Sequence, residues 1–70
     1  MGGEAIANYN MNFDNGDFIK GKTYKYRRSD RDPAFILVTT EREKEQELWH
    51  TEFDTLFTLN EFDVLFTLKN

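Results

Sequence analysis

The stretch that decides the fold is a nine-residue unit written twice, EFDTLFTLN at residues 52–60 followed directly by EFDVLFTLK at residues 61–69. In a helix, nine residues at about 100° each place matching residues of the two copies half a turn apart. In a strand, side chains alternate between the two faces, so a period of nine, an odd number, places matching residues on opposite faces. The second copy would therefore face the opposite way in any unbroken element. We predict a strand over residues 55–59 and a short helix over residues 61–66, with Asn60 as the helix cap.

Two further segments upstream are predicted to be strands. Residues 23–28 alternate, with Tyr24 and Tyr26 on the buried face and Thr23, Lys25 and Arg27 on the other. Residues 35–40, FILVTT, are continuously apolar and β-branched, which predicts a central strand covered on both faces. Turns are expected at DNGD (residues 14–17) and at Gly21, because Asn and Gly tolerate positive φ.

The N-terminal segment is expected to be weakly ordered over residues 1–12, where glycine and asparagine dilute the apolar residues. Alternation of Tyr9, Met11 and Phe13 allows a first edge strand over about residues 8–13. The remainder, residues 13–70, is predicted to form a single small domain.

Residues 41–47 leave two alternatives open. A hairpin with a charged tip is favoured, because an exposed tip needs no burial, although residues 42–46 lack good turn formers. A helix is the alternative, since Thr40 and Glu43 have the spacing of a capping box. The fold prediction is therefore mainly β, with an α+β alternative in which one helix over about residues 40–58 packs on a three- or four-stranded antiparallel sheet.

Composition limits the classes of protein that this chain can be. Seventy residues, including eleven aromatic ones, allow one small aromatic core and are too few for a nucleotide-binding fold. The absence of cysteine excludes disulfides and thiolate metal sites and fits a cytoplasmic protein. The sequence contains no run of about eighteen apolar residues, so no membrane span is predicted. The first residues do not resemble a secretory signal.

Catalysis and bound metals are not predicted. His50 is the only histidine and Ser29 the only serine, and no nucleophile motif surrounds that serine. The DNGD turn lacks the spaced ligands of a calcium loop, and there is no glycine-rich phosphate cradle. We therefore expect no enzyme activity, no cofactor and no metal site.

Charge divides the chain into a basic segment and an acidic C-terminal half, although the net charge is −4. The basic segment, interleaved with Tyr24 and Tyr26, is a candidate nucleic-acid-binding strand and consists of Lys20, Lys22, Lys25, Arg27, Arg28 and Arg31. The acidic half is a candidate face for docking on a basic protein surface, with candidates Glu43, Glu45, Glu47, Glu52 and Asp54. Exposed edge strands could pair with a protein partner or a second copy.

The order of these features resembles the small SH3-like β-barrel proteins of bacteriophages and bacteria. The resemblance covers residues 13–70 and rests on the segment KGKTYKY (residues 20–26), the strand at residues 35–40, a polar tip and the closing stretch LNEFDVLF (residues 59–66). It implies an SH3-like barrel with a short C-terminal helix and binding rather than catalysis. The function expected from it is that of a phage accessory protein that binds and modulates a host protein, with nucleic-acid binding through residues 20–31 as the alternative.

Overall fold

A five-stranded antiparallel sheet with one short helix forms the fold. The computed structural model describes residues 2–13, 16–43 and 50–69, and for residues 41–43 and 50–53 it describes the backbone. The elements are β1 (Gly2–Ala7), β2 (Met11–Phe13), β3 (Gly16–Phe18), β4 (Thr23–Arg28), β5 (Phe35–Glu43), β6 (His50–Thr58), α1 (Leu59–Leu65) and β7 (Phe66–Leu68). The sheet order is β6-β5-β4-β1-β7, and β2 and β3 form a separate hairpin. The prediction of a mainly β chain with a short C-terminal helix is confirmed.

Strands β5 and β6 pair in one continuous antiparallel register, from Phe35 opposite Thr58 to Glu43 opposite His50. The alternative helix over residues 40–58 is therefore wrong. In β6, the buried Thr55 and Phe57 alternate with exposed residues and lie on the face that β5 also buries. This packing outweighs the good helix propensity of the charged residues that precede it. The tip of the hairpin, residues 44–49, lies outside the described residues.

One face of the sheet is covered, and we call it the inner face. The β2–β3 hairpin covers one part of it, where the Phe18 ring packs edge-on against Tyr24, Phe57 and Phe66 at centroid distances of 4.9 to 5.8 Å. Helix α1 covers another part, where Phe62 lies 5.0 Å from the Tyr26 ring. The buried core consists of Ala5, Ala7, Phe18, Tyr24, Ile36, Val38, Phe57, Phe62 and Phe66.

The two copies of the nonapeptide adopt different conformations, as predicted, but the boundary differs. The first copy runs as strand through Thr58, and the helix already begins at Leu59. Thr58, not Asn60, is the helix cap: its Oγ1 accepts from the Glu61 backbone N–H at 3.2 Å, and Glu61 Oε1 accepts from the Thr58 N–H at 2.9 Å. This reciprocal pair, a capping box, satisfies the backbone N–H groups of both Thr58 and Glu61.

The N-terminus also differs from the prediction. Strand β1 is an interior strand between β4 and β7, where a weakly ordered segment was expected. The glycines that suggested disorder allow close packing, because a Cβ at Gly3 would lie 2.9 Å from the Tyr26 hydroxyl oxygen and 3.1 to 3.2 Å from its ring. The predicted edge strand is present only as Met11–Phe13.

The predicted turns are partly seen. Gly21 has a φ of 86° and its N–H donates to the Ala7 carbonyl at 2.8 Å, which confirms a glycine turn there. Gly16 is instead the first residue of β3. Asp14 and Asn15, the other residues of the expected turn, lie outside the described residues.

Candidate functional site

The face of the sheet opposite the core, the outer face, carries an ion pair between β4 and the edge strand β6. Arg27 on β4 reaches diagonally across β5, and its Nη2 lies 2.7 Å from Asp54 Oδ2 on β6. Thr39, which is directly opposite Asp54 in the register, donates its hydroxyl to Asp54 Oδ1 at 2.8 Å. These hydrogen bonds, first that of Arg27 and then that of Thr39, hold the pKa of Asp54 below its usual value despite slight burial.

Beside this ion pair lies a concavity of about 490 Å³, which we call the outer groove. Its apolar part is Phe35, Leu37 and Leu56, and its polar part is Arg27, Ser29, Asp30, Arg31 and Asp32. Leu56 is 53% exposed and stands opposite the half-buried Leu37 on the neighbouring strand. An exposed leucine over an apolar floor, with charged residues around it, has the composition of an interface centre and rim.

One wall of the outer groove is the turn at residues 29–35, and hydrogen bonds between its own residues hold it in place. The Ser29 N–H donates to the Phe35 carbonyl at 3.0 Å, and the Phe35 N–H donates to the Asp32 carbonyl at 3.1 Å. Asp32 Oδ1 accepts from the Ala34 N–H at 3.0 Å, an arrangement common for aspartate in turns. The groove is therefore preformed, so that a ligand would not have to order this turn.

The structure does not bring the basic candidates together. Lys20 and Lys22 precede β4, whereas Arg31 follows it at the far end. Lys25 and Arg27 occupy the outer face, but Arg27 is engaged by Asp54. Tyr24 is buried and Tyr26 half-buried, as predicted, so neither ring is free for bases to stack on.

Arg28 completes the account of the basic segment. Its position in the strand alternates with Arg27, and its Nη1 donates to the Pro33 carbonyl at 3.4 Å. Lys22 Nζ lies 5.7 Å from the centroid of the Tyr24 ring, a cation–π contact that anchors the side chain near the core.

Of the acidic candidates, only Asp54 has a described side chain, and Arg27 neutralises it. Glu43 and Glu52 lie on the paired backbones of β5 and β6. Glu45 and Glu47 lie outside the described residues. The acidic docking face therefore stays a prediction.

The outer groove was not predicted from the sequence. Residues 35–40 were expected to be covered on both faces, yet Phe35, Leu37 and Thr39 are only half-buried and alternate with buried residues. The alternation is invisible in a continuously apolar run. A signal was present in the partner strand, where Leu56 alternates with Thr55 and Phe57.

No protein-family model matches this chain, and neither a curated protein nor a solved structure is significantly similar to it. The sheet and helix define its class as a small mainly β protein, and the SH3-like resemblance stays a prediction. Among the described residues, no helix is long and apolar enough to cross a membrane. The residues that the structure describes also contain no cluster of three or more His, Cys, Asp or Glu side chains that could hold a metal ion.

Proposed function

We propose that this chain is a small non-enzymatic binding protein that binds a host protein through the outer groove and modulates it. The observation that carries this proposal is the exposed Leu56 beside Leu37, next to a turn that is already fixed. Exposed apolar side chains with a polar rim are typical of the centres of protein interfaces. The partner would insert an apolar side chain between the two leucines.

The charges around the outer groove support a protein partner rather than a nucleic acid. Arg31 and Asp30, of opposite sign, both line it and make no hydrogen bond or ion pair within the described part of the chain. Mixed charges favour a partner that presents both signs over a long polyanion, because Asp30 and Asp32 offset the attraction of the arginines for phosphates. The resemblance to SH3-like phage proteins is consistent with this, and we propose a barrel-related phage accessory protein that acts in the host cytoplasm.

Leu56→Glu tests the proposal. The matched control is Leu68→Glu on β7 at the other edge of the sheet, because Leu68 is 54% exposed and Leu56 is 53% exposed. The tagged chain is used as bait in a bacterial host lysate, and the affinity of the captured protein is then measured by calorimetry with purified components. Leu56→Glu should weaken binding at least about tenfold, as expected of a charge placed in an apolar contact, and Leu68→Glu should not.

The alternative function is tested in the same series with a single-stranded oligonucleotide. If the oligonucleotide binds with a steep salt dependence and Lys25→Glu abolishes this binding, the protein-partner proposal is refuted. Equal weakening by Leu56→Glu and Leu68→Glu would also refute the assignment to the outer groove.

A further inference from the structure

A second surface lies at the other end of β4 from the outer groove, where three segments are joined by hydrogen bonds. The Asn8 N–H donates to the Leu65 carbonyl at 2.8 Å, which joins the β1–β2 connection to the end of helix α1. The Lys20 N–H donates to Asn10 Oδ1 at 2.8 Å, which joins the same connection to the turn before β4. The side chains carried by these segments are therefore held at one end of the molecule.

Three of these side chains are large, apolar and exposed. Val64 is 63%, Ile19 is 56% and Tyr9 is 53% exposed, and each belongs to a different one of the three segments. Single exposed apolar residues are ordinary, but a concentration of them marks an interaction site. We call the set of Tyr9, Ile19, Val64, Lys20 and Lys22 the end surface.

The charge of the end surface contrasts with that of the whole chain. Lys20 and Lys22 flank Gly21 and are both exposed, whereas Asp63 is the single acid within residues 8–10, 19–22 and 63–65. A net positive apolar surface on a chain of net charge −4 is complementary to a partner segment that carries carboxylates.

The repeat gives an independent reason to regard Val64 as a contact residue. Val64 occupies the position in the second copy that Thr55 occupies in the first. Thr55 is only 8% exposed and its hydroxyl has no hydrogen-bond partner in the described part of the chain, whereas Val64 is 63% exposed. The folded monomer would be more stable if valine occupied the buried position, 55, and threonine the exposed position, 64. An exposed valine is explained if a partner covers it.

We propose that the end surface is a second docking site, and that its occupant is an acidic protein segment with an apolar side chain flanked by carboxylates. The apolar side chain contacts Val64 and Ile19, and the carboxylates pair with Lys20 and Lys22. Because the six residues of β4 span about 17 Å between the two surfaces, both can be occupied at once. The chain then links two partner surfaces.

The test uses random twelve-residue peptides displayed and selected on the full-length chain. We expect the selected peptides to contain Asp or Glu beside an apolar residue, and one synthetic peptide from them is then measured by fluorescence anisotropy. Val64→Thr keeps the side-chain shape and should weaken its binding about tenfold or more. Lys20→Glu should also weaken binding, and it should remove the strengthening of binding that lowering the salt concentration produces with the native chain.

Two control variants separate this surface from the rest of the molecule. Thr55→Val is the same exchange in reverse at the matching position of the repeat, and binding should not change. Leu56→Glu alters the outer groove, and binding of the selected peptide should not change either. Circular dichroism spectra and thermal unfolding check that Val64→Thr still folds.

Several outcomes overturn the proposal. They are the absence of any enriched peptide, enrichment without acidic residues, or binding that Val64→Thr leaves unchanged. Sedimentation that shows a dimer in the native chain and a monomer in Val64→Thr would assign the surface to a second copy instead. Binding to phosphatidylglycerol vesicles that Val64→Thr abolishes would assign it to an anionic lipid surface.

Discussion

Replacement of Thr55 by valine should stabilise this protein. Thr55 lies in β6 directly opposite Val38, which is fully buried, and is itself 8% exposed. Within the described part of the chain its Oγ1 is buried and has no hydrogen-bond partner. On folding, the Thr55 hydroxyl loses its hydrogen bonds to water, and no hydrogen bond within the described part of the chain replaces them. Valine has the same shape and nearly the same preference for strands, so it should avoid this cost.

The expected gain is about 1–3 kcal/mol, which is the usual desolvation cost of a buried polar group without a partner. For a domain of this size, each kcal/mol should raise the unfolding temperature by about 4–8 °C. Thermal and urea unfolding followed by circular dichroism measure the change, and an unchanged urea slope shows that the unfolded state is the same.

Thr39→Val is the matched control on the neighbouring strand. The Thr39 hydroxyl donates to Asp54 Oδ1 at 2.8 Å, so the same exchange should cost about 1 kcal/mol there, because a bond to a carboxylate is lost. A Thr55→Val variant no more stable than the native chain would refute the reasoning, since it would mean that the hydroxyl is satisfied. Equal stabilisation by both variants would also refute it, since strand propensity would then be the cause.

Other changes follow from the packing and the helix cap. Gly16→Ala should destabilise by about 1–3 kcal/mol, measured by urea unfolding, because the added Cβ would overlap the Thr40 hydroxyl; an unchanged midpoint would contradict this close packing. Phe18→Ala should cost about 3–5 kcal/mol, much of the total for 70 residues, and its near-ultraviolet dichroism should show partial unfolding at 25 °C, whereas a fully folded variant would contradict the central place of this ring. Thr58→Ala should cost about 1 kcal/mol through loss of the cap, measured by thermal unfolding. A hydrogen bond from the Thr58 N–H lowers the pKa of Glu61 in the folded chain. The stabilisation by this carboxylate is therefore complete above its unfolded pKa and is lost as pH falls through the lowered folded pKa. Glu61→Gln should flatten the profile of stability against pH in this acidic range, and an identical profile would be evidence against the capping box.

The local sequence pattern was sufficient to predict those strands whose residues alternate between apolar and polar or are uniformly apolar. Strand β4 has the predicted bounds, and its two tyrosines turn inward as expected. The different conformations of the two nonapeptide copies also followed from counting residues, because nine fits neither period. The cap was misassigned by two residues, since the choice depends on a side chain three positions further on, Glu61, reaching back to Thr58.

Features that depend on distant segments were not predictable in this way. Strand β1 is rich in glycine and alanine, which disfavour strands locally, yet it is buried between β4 and β7. Asp54 was assigned to an acidic docking face, but Arg27, 27 residues earlier, neutralises it. The outer groove exists because Leu37 and Leu56 meet across the β5–β6 register. Each of these facts is set by strand order, which no local pattern encodes.

The place of β1 in the sheet has a consequence for the order of folding during synthesis. Of the elements described here, β1 emerges from the ribosome first, and one of its two neighbours, β7, emerges last. Until β7 arrives, one edge of β1 stays unpaired and the Phe18 ring lacks its contact with Phe66. Folding that requires pairing between strands distant in sequence is slow. The growing chain therefore exposes an unpaired strand edge until β7 has been synthesised. An unpaired strand edge can pair with another chain, so β1 is open to such pairing for as long as β7 is still within the ribosome.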